Sequence, residues 1–191
     1  MPAIFTKCNS INDERFTPKE WMDKAAKLIC IDNFEHDFAT CSQAIEYHGS
    51  IPNNYTREYS FLNAHWIFKE NWFLNAPFSL NLEFGYHLMK MADAGLLGDG
   101  IILCNANTET RWFRNYAKIS DWVWFPSKRV DFLNPETLEP VKNNPKPQAF
   151  FIRASHIPKP EDGILAKLDT VTHPPARSRK GKSLKSSTTG N

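Results

Sequence analysis

The chain has no uninterrupted apolar run of about 18 residues, the length a membrane-spanning helix needs, and its N-terminus lacks the basic-then-apolar order of a secretory signal. Those absences predict a soluble protein of the cytoplasm with no membrane partner. Its four cysteines, Cys8, Cys30, Cys41 and Cys104, are widely spaced, with no Cys-x-x-Cys pair and no histidine at zinc-finger spacing. Reduced thiols are therefore expected instead of a disulfide framework. The six histidines form no His-x-Glu-x-x-His pattern or other paired set, so no metal is expected. His36 and His65 read as surface or core residues.

What the chain does have is aromatic material. Its 191 residues, 41% of them hydrophobic, can fill one core, and a second folded domain is not expected. Six tryptophans and 14 phenylalanines exceed what most small domains carry. Core is the default reading for most of them, with stacking platforms for bases as the alternative. Charge is unevenly placed. From Val171 onward five basic residues (Arg177, Arg179, Lys180, Lys182, Lys185) meet no acidic ones, leaving 18 basic against 21 acidic residues, a net of −3, in the remainder. The last segment is rich in Ser, Thr, Gly and Pro without an apolar period and is predicted disordered. It reads equally as a mobile arm for nucleic-acid phosphates and as a solubilising tail. The organisation expected is an N-terminal segment over 1–15, a domain over 16–157, and a Pro-containing linker with a basic tail over 158–191.

Within the domain, strands and helices alternate. Thr17 reads as an N-cap, with Pro18 at the first helical position and Glu20 three residues on, opening a helix to about Leu28. A short strand is expected near Asp37. Leu80 to Ala94 carries Leu82, Phe84, Leu88, Met89 and Met91 at spacings compatible with a helix that Gly95 ends. The run Gly100-Ile101-Ile102-Leu103-Cys104 is short, branched and apolar, as a strand buried on both faces would be. Tyr116 to Phe125 and Gln148 to Arg153 read as later strands, an antiparallel pair. The alternation predicts an α/β fold with a mostly parallel, doubly wound sheet. Ligands of such sheets bind beyond the carboxyl ends of the strands, and Asp37, Asn75 and Asn105 each fall near such an end.

The segment with most chemistry is Trp72-Phe73-Leu74-Asn75-Ala76-Pro77-Phe78-Ser79, an apolar run ending in an amide, a proline and an aromatic ring. An exocyclic amine such as adenine N6 is a poor nucleophile because its lone pair is delocalised into the ring. The Asn75 side-chain oxygen and the backbone carbonyl of residue 76 can each accept a hydrogen from such an amine. They would draw its nitrogen toward tetrahedral geometry and aim the lone pair at a methyl donor. Phe78 would stack on the base. An ordinary turn after a strand has the same composition.

The flanks of that segment resemble the phage-type DNA N6-adenine methyltransferases, whose catalytic segment reads Asn-Pro-Pro followed by Tyr or Phe. The resemblance runs from about Phe16 to Arg153. Phe16-Thr17-Pro18-Lys19-Glu20-Trp21-Met22-Asp23 is similar to the family's entry segment, and His36-Asp37-Phe38-Ala39-Thr40-Cys41-Ser42 to its first cofactor strand. Asn54 to Leu62 and His65-Trp66 resemble the link that follows. Cys104 to Phe113 is similar to the family's strand end before a Trp-Phe pair. Phe125 to Phe132 resembles its Phe-x-x-Gly-Arg-x-x-Phe segment, and Pro147 to Ile152 its last strand.

The resemblance implies a Rossmann-like, single-domain, S-adenosylmethionine-dependent methyltransferase acting on the N6 amine of adenine in DNA. Phage DNA modification that protects against restriction, in the host-cell cytoplasm, is the role it implies. It makes Asn75, Ala76, Pro77 and Phe78 the catalytic segment. S-adenosylmethionine would be held by Thr17 and Pro18, by Asp37 with the backbone that follows to Ala39, and by Asn75. Asp37 by itself reads as well as a turn cap. Arg111, Arg114, Lys128 and Arg129 lie among Trp112, Phe113, Trp122, Trp124 and Phe125, an interleaving that suits DNA-backbone contact or structural stacking; Arg111, Lys128 and Arg129 are the DNA contacts expected, and Arg129 also matches the family. Ala76 stands where the family has its first proline. Its carbonyl remains as an acceptor, but the ring that would fix φ there is lost, at about 0.4–1 kcal/mol of unfolded-state entropy. A catalytically impaired relative that binds DNA, and a cytosine-N4 methyltransferase on the same scaffold, stay open as alternatives.

Overall fold

A computed structural model of the protein describes residues 15–49, 51–134, 137–142 and 144–168; the basic segment read as a tail from 171 onward lies outside them. At the centre is β4 (Gly100–Asn105), paired in parallel with β3 (Trp72–Leu74). Next comes β1 (His36–Asp37), and β2 (Asn53–Asn54) forms the edge, both also parallel. On the other side of β4 lie β6 (Gln148–Arg153), β5 (Trp122–Phe125) and β7 (Ile164–Lys167), each antiparallel to its neighbour. The strand order is β2-β1-β3-β4-β6-β5-β7. The sheet is therefore mixed, with three parallel and three antiparallel neighbour pairs, where the sequence predicts a mostly parallel one. The reason lies in the connection after β5. Among the described residues no helical crossover intervenes between Phe125 and Gln148, and the chain returns beside β5 in the opposite direction and inserts between β5 and β4. Strand β7 lies inside the stretch expected as linker, so the sheet extends to Lys167.

Four α-helices accompany the sheet among the described residues: α1 (Lys19–Leu28), α2 (Ser42–His48), α3 (Asn81–Asp93) and α4 (Arg111–Lys118). Helix α3 ends as Gly95 predicts. Gly95 adopts φ +67°, its N–H donates to Ala92 O, and Leu96 N–H donates to Met91 O, a Schellman closure. Helix α1 begins one residue later than expected. Pro18, with ψ 144°, is the cap; its carbonyl takes the first helical bonds from Trp21 and Met22, and Thr17 caps nothing. The stretch expected as a strand from Tyr116 is still helical to Lys118. Thr110 Oγ1 caps α4 by accepting from Phe113 N, and Trp112, Phe113, Tyr116 and Ala117 bury at helical spacing.

The pleat divides the core into two layers. Trp72, Leu74, Ile102 and Cys104 face α3 and α4, whereas Phe73, Ile101 and Leu103 face α1 with Trp21, Trp124 and Phe150. Most aromatics are core, as the default reading has it. Close packing at the centre explains Gly100, since a Cβ there would lie 2.2 Å from the Trp72 indole.

The crossovers create a crevice. From β1 the chain passes through α2 outward to β2; from β3 it passes through α3 the other way to β4. The carboxyl ends of β1 and β3 therefore flank a topological switch point.

Candidate active site

A cavity of about 660 Å³ opens at that switch point. Its lining includes Thr17, Asp37, Phe38, Ala39 and Thr40 from the β1 side, and Asn75 through Phe78 with Cys104 and Asn105 from the β3 and β4 ends. The three strand-end residues marked in the sequence, Asp37, Asn75 and Asn105, thus share one cavity. The register explains this: Asp37 pairs with Phe73, and Phe38 N–H donates to Phe73 O.

Asn75 is held by a segment that precedes it by about 60 residues. Its Nδ2 donates to Arg15 O and to Thr17 Oγ1, both at 3.2 Å. A carbonyl can only accept, so these bonds fix which end of the amide is nitrogen and turn Oδ1 to the opposite edge. The Arg15–Thr17 segment is itself anchored by reciprocal backbone bonds between Phe16 and Leu133. Thr17 and Asn75 are therefore one hydrogen-bonded unit.

Ala76, at the position lacking the family's proline, is half-buried and packs against the α3/α4 core layer. Pro77, at φ −49° and ψ 136°, leads into a short 3₁₀ turn (Phe78–Leu80) that runs on into α3. That turn is braced from below by residues the sequence reading missed. Buried Asn81 donates through Nδ2 to Phe78 O at 3.2 Å, with a longer contact to Pro77 O. Its Oδ1 accepts from Tyr116 Oη at 2.9 Å. Burial pushes the Tyr116 phenol well above its ordinary range, so it remains a donor. Asn81, three residues after Phe78 at a helix start, is a position where a side-chain amide commonly bonds the preceding turn, a signal that was available. Tyr116 had none once its segment read as strand.

Phe78 itself is 46% exposed, unlike the other phenylalanines among the described residues, and Trp112 supports it edge-to-face. Asp37 is the opposite case. Its carboxyl is buried and accepts from Ala39 N at 3.1 Å; burial pushes its pKa up to about 7 against the lowering effect of its Ala39 and Thr40 hydrogen bonds. It does cap a turn, as the plainer reading has it, while also facing the cavity. The Cys104 thiol is pushed up by burial and stays protonated.

Arg111, Lys128 and Arg129 are exposed and lie outside the cavity lining. Arg111 Nη1 donates to Tyr86 Oη at 3.1 Å. Arg129 Nη1 donates to Asn144 O at 2.7 Å, which ties the lining segment Asn144–Lys146 in place. His36 is a core residue stacked edge-on against Phe68, its charge disfavoured by burial. No group of three or more potential metal ligands occurs among the described residues, and no described helix is long and apolar enough to cross a membrane.

A single α/β domain with a mixed sheet and a strand-end Asn-x-Pro-aromatic segment in its switch-point cavity is compatible with a methyltransferase fold. Residues 10–184 match the family model described as DNA N-6-adenine-methyltransferase (Dam), and the chain belongs to that family. It is also 31% identical over 122 residues to the protein of Haemophilus phage HP1 (strain HP1c1) named DNA N-6-adenine-methyltransferase. That alignment takes in 61% of this chain and 65% of the phage protein, so the chain spans a little under two thirds of its relative's length.

Proposed function

We propose that this chain transfers a methyl group from S-adenosylmethionine to the N6 amine of adenine in DNA, on a Rossmann-like scaffold. The observation that carries the reading is the Asn75 amide, whose donors are engaged by Arg15 and Thr17 at the switch-point end of β3. Its Oδ1 and the carbonyl of residue 76 accept the two hydrogens of the target amine, which localises the nitrogen lone pair. Phe78, exposed at the cavity, stacks on a base extruded from the duplex, since an amine within the stack is out of reach. No side chain need act as a strong base, because the methylated nitrogen loses its proton to water after transfer.

The cavity fits the cofactor in size. Its volume lies in the range of roughly 300–1,000 Å³ typical of small-molecule sites. A buried acid at the end of β1, neutral while burial holds its proton, ionises opposite a ligand that carries an ammonium and a sulfonium, because a nearby positive charge favours the carboxylate. S-adenosylmethionine, when bound, supplies a methyl group on a positively charged sulfur. Thr17, the backbone from Asp37 to Ala39, and Asn75 line the cavity and would hold it, while Pro18 lies outside the lining and sets the turn into α1. Arg111, Lys128 and Arg129 are the candidate contacts to the DNA backbone. Similarity to a phage protein supports a role in modifying phage DNA against restriction within the host cytoplasm.

The test is to incubate the protein with isotope-labelled S-adenosylmethionine and unmethylated DNA, digest, and identify labelled nucleosides by mass spectrometry. Labelled 6-methyladenine is expected. Label on cytosine would move the acceptor to N4, and cofactor binding without any labelled nucleoside would leave a binding protein.

A further inference from the structure

Phe78 is the base platform in the reading above, yet in the protein alone its ring is already occupied. The Lys146 ammonium sits 4.6 Å from the Phe78 ring centroid, and both residues line the cavity. A ring face holds one partner at a time, so a base stacked on the face that Lys146 covers displaces this cation.

The backbone beneath Lys146 is firmly placed. Lys146 N donates to Asn144 Oδ1 at 3.3 Å, and Lys146 O accepts from Gln148 Nε2. Asn144 is buried, donates to Val130 O at 3.2 Å, and has its own carbonyl held by Arg129. Gln148 Oε1 in turn accepts from Val130 N at 2.9 Å. The side chain above this platform is exposed. A long flexible stem on a fixed backbone lets the ammonium relocate while the loop stays put, and a cation on an exposed ring face is held only weakly.

We propose that Lys146 is a DNA-contacting residue with two alternating partners: the Phe78 ring in the free protein and a backbone phosphate beside the extruded nucleotide in the complex. The proposal rests on the reading of Phe78 as the base platform. The incoming base displaces the ammonium from the ring. The phosphate of that nucleotide is one sugar away from the base, so the freed cation meets a negative charge at the cavity mouth. The ring is thereby covered while no base is present and uncovered as DNA docks.

Full-length wild type, Lys146→Met and Lys146→Arg are compared for binding to a duplex carrying one mismatched adenine, whose base leaves the stack at low cost, over a salt series. Methionine keeps the stem against Phe78 and removes the charge. Lys146→Met should weaken binding roughly 3- to 10-fold at low salt and reduce the slope of log affinity against log salt by about one, with Lys146→Arg restoring the slope. Cofactor affinity should be the same in all three. A Lys146→Met slope equal to that of wild type overturns the proposal and leaves the lysine as packing on Phe78. Failure of the underlying reading is separable: Phe78→Ala that transfers methyl groups as fast as wild type at saturating DNA removes the base platform, whatever the salt slopes show.

Discussion

Replacing Asp37 by Asn should make the ligand-free protein more stable at pH 8 and leave it nearly unchanged at pH 4. The carboxyl is buried at the end of β1, and burial holds its pKa at about 7; in the unfolded chain it titrates near about 4. Between these values the folded protein keeps a proton that the unfolded chain has lost. Stability therefore falls as pH rises through this window, by about 1.4 kcal/mol per pH unit, and above pH 7 the whole cost of the buried charge is present, on the order of 4 kcal/mol. Asparagine preserves the acceptor for the Ala39 N–H and offers Thr40 a donor where the carboxylate offers an acceptor, which its hydroxyl tolerates. The variant should gain on the order of 3 kcal/mol at pH 8, a rise of roughly 6–12 °C in Tm for a chain of this size. Urea melts of both proteins from pH 4.5 to 8.5 give the difference at each pH, in which other titrating groups cancel. A difference that does not grow with pH, or a variant less stable at pH 8, would refute the reasoning. With a cationic ligand in the cavity the sign reverses: the same variant should bind S-adenosylmethionine more weakly at pH 8, and wild-type affinity should drop as Asp37 protonates below about pH 7.

Other perturbations test the frame around the site. Tyr116→Phe removes the hydroxyl that bonds Asn81 O and Oδ1. It should cost about 1–3 kcal/mol in a denaturant melt and lower the transfer rate at saturating cofactor and DNA, because the 3₁₀ turn at Phe78 loses its brace; an unchanged rate would make this network purely structural. Ala76→Pro should stabilise the fold by about 0.4–1 kcal/mol and raise turnover by restricting Asn75. A loss of stability there would mean that the backbone at 76 lies outside the proline region. Gly100→Ala drives a methyl into the Trp72 indole and should destabilise by about 3 kcal/mol, read as a fall in the urea midpoint.

Much of this arrangement is legible in the sequence, and the reasons differ from element to element. Gly100–Cys104 reads as a buried strand because its apolar residues leave no polar face, and β4 is indeed covered on both sides. Gly95 reads as a helix end because a left-handed residue is cheapest there as glycine. The gathering of Asp37, Asn75 and Asn105 follows once they are placed at strand ends, since parallel strands bring their carboxyl ends together. What failed depended on contacts distant in sequence. Thr17 has the composition of an N-cap, yet its hydroxyl is taken by Asn75, 58 residues away. The antiparallel pairing of β6 with β5 is legible in the sequence, but the insertion of β6 beside β4 is a choice of partner that no local pattern encodes. Tyr116 looked like strand because an aromatic-rich stretch suits either period; the cap at Thr110 decides for helix. Arg129 matches the family and reads as a DNA contact, and its hydrogen bond to Asn144 also gives it a place in holding the loop that carries Lys146.

The most direct test is single-turnover methyl transfer by Asn75→Ala at saturating S-adenosylmethionine and DNA, with cofactor affinity measured in parallel. If the fixed Asn75 amide activates the target amine, the rate should fall by about 10²–10³, the usual cost of removing one preorganised transition-state partner, at saturation and so independently of any change in cofactor binding. A rate within tenfold of wild type would contradict that role and require the amine to be activated elsewhere in the cavity.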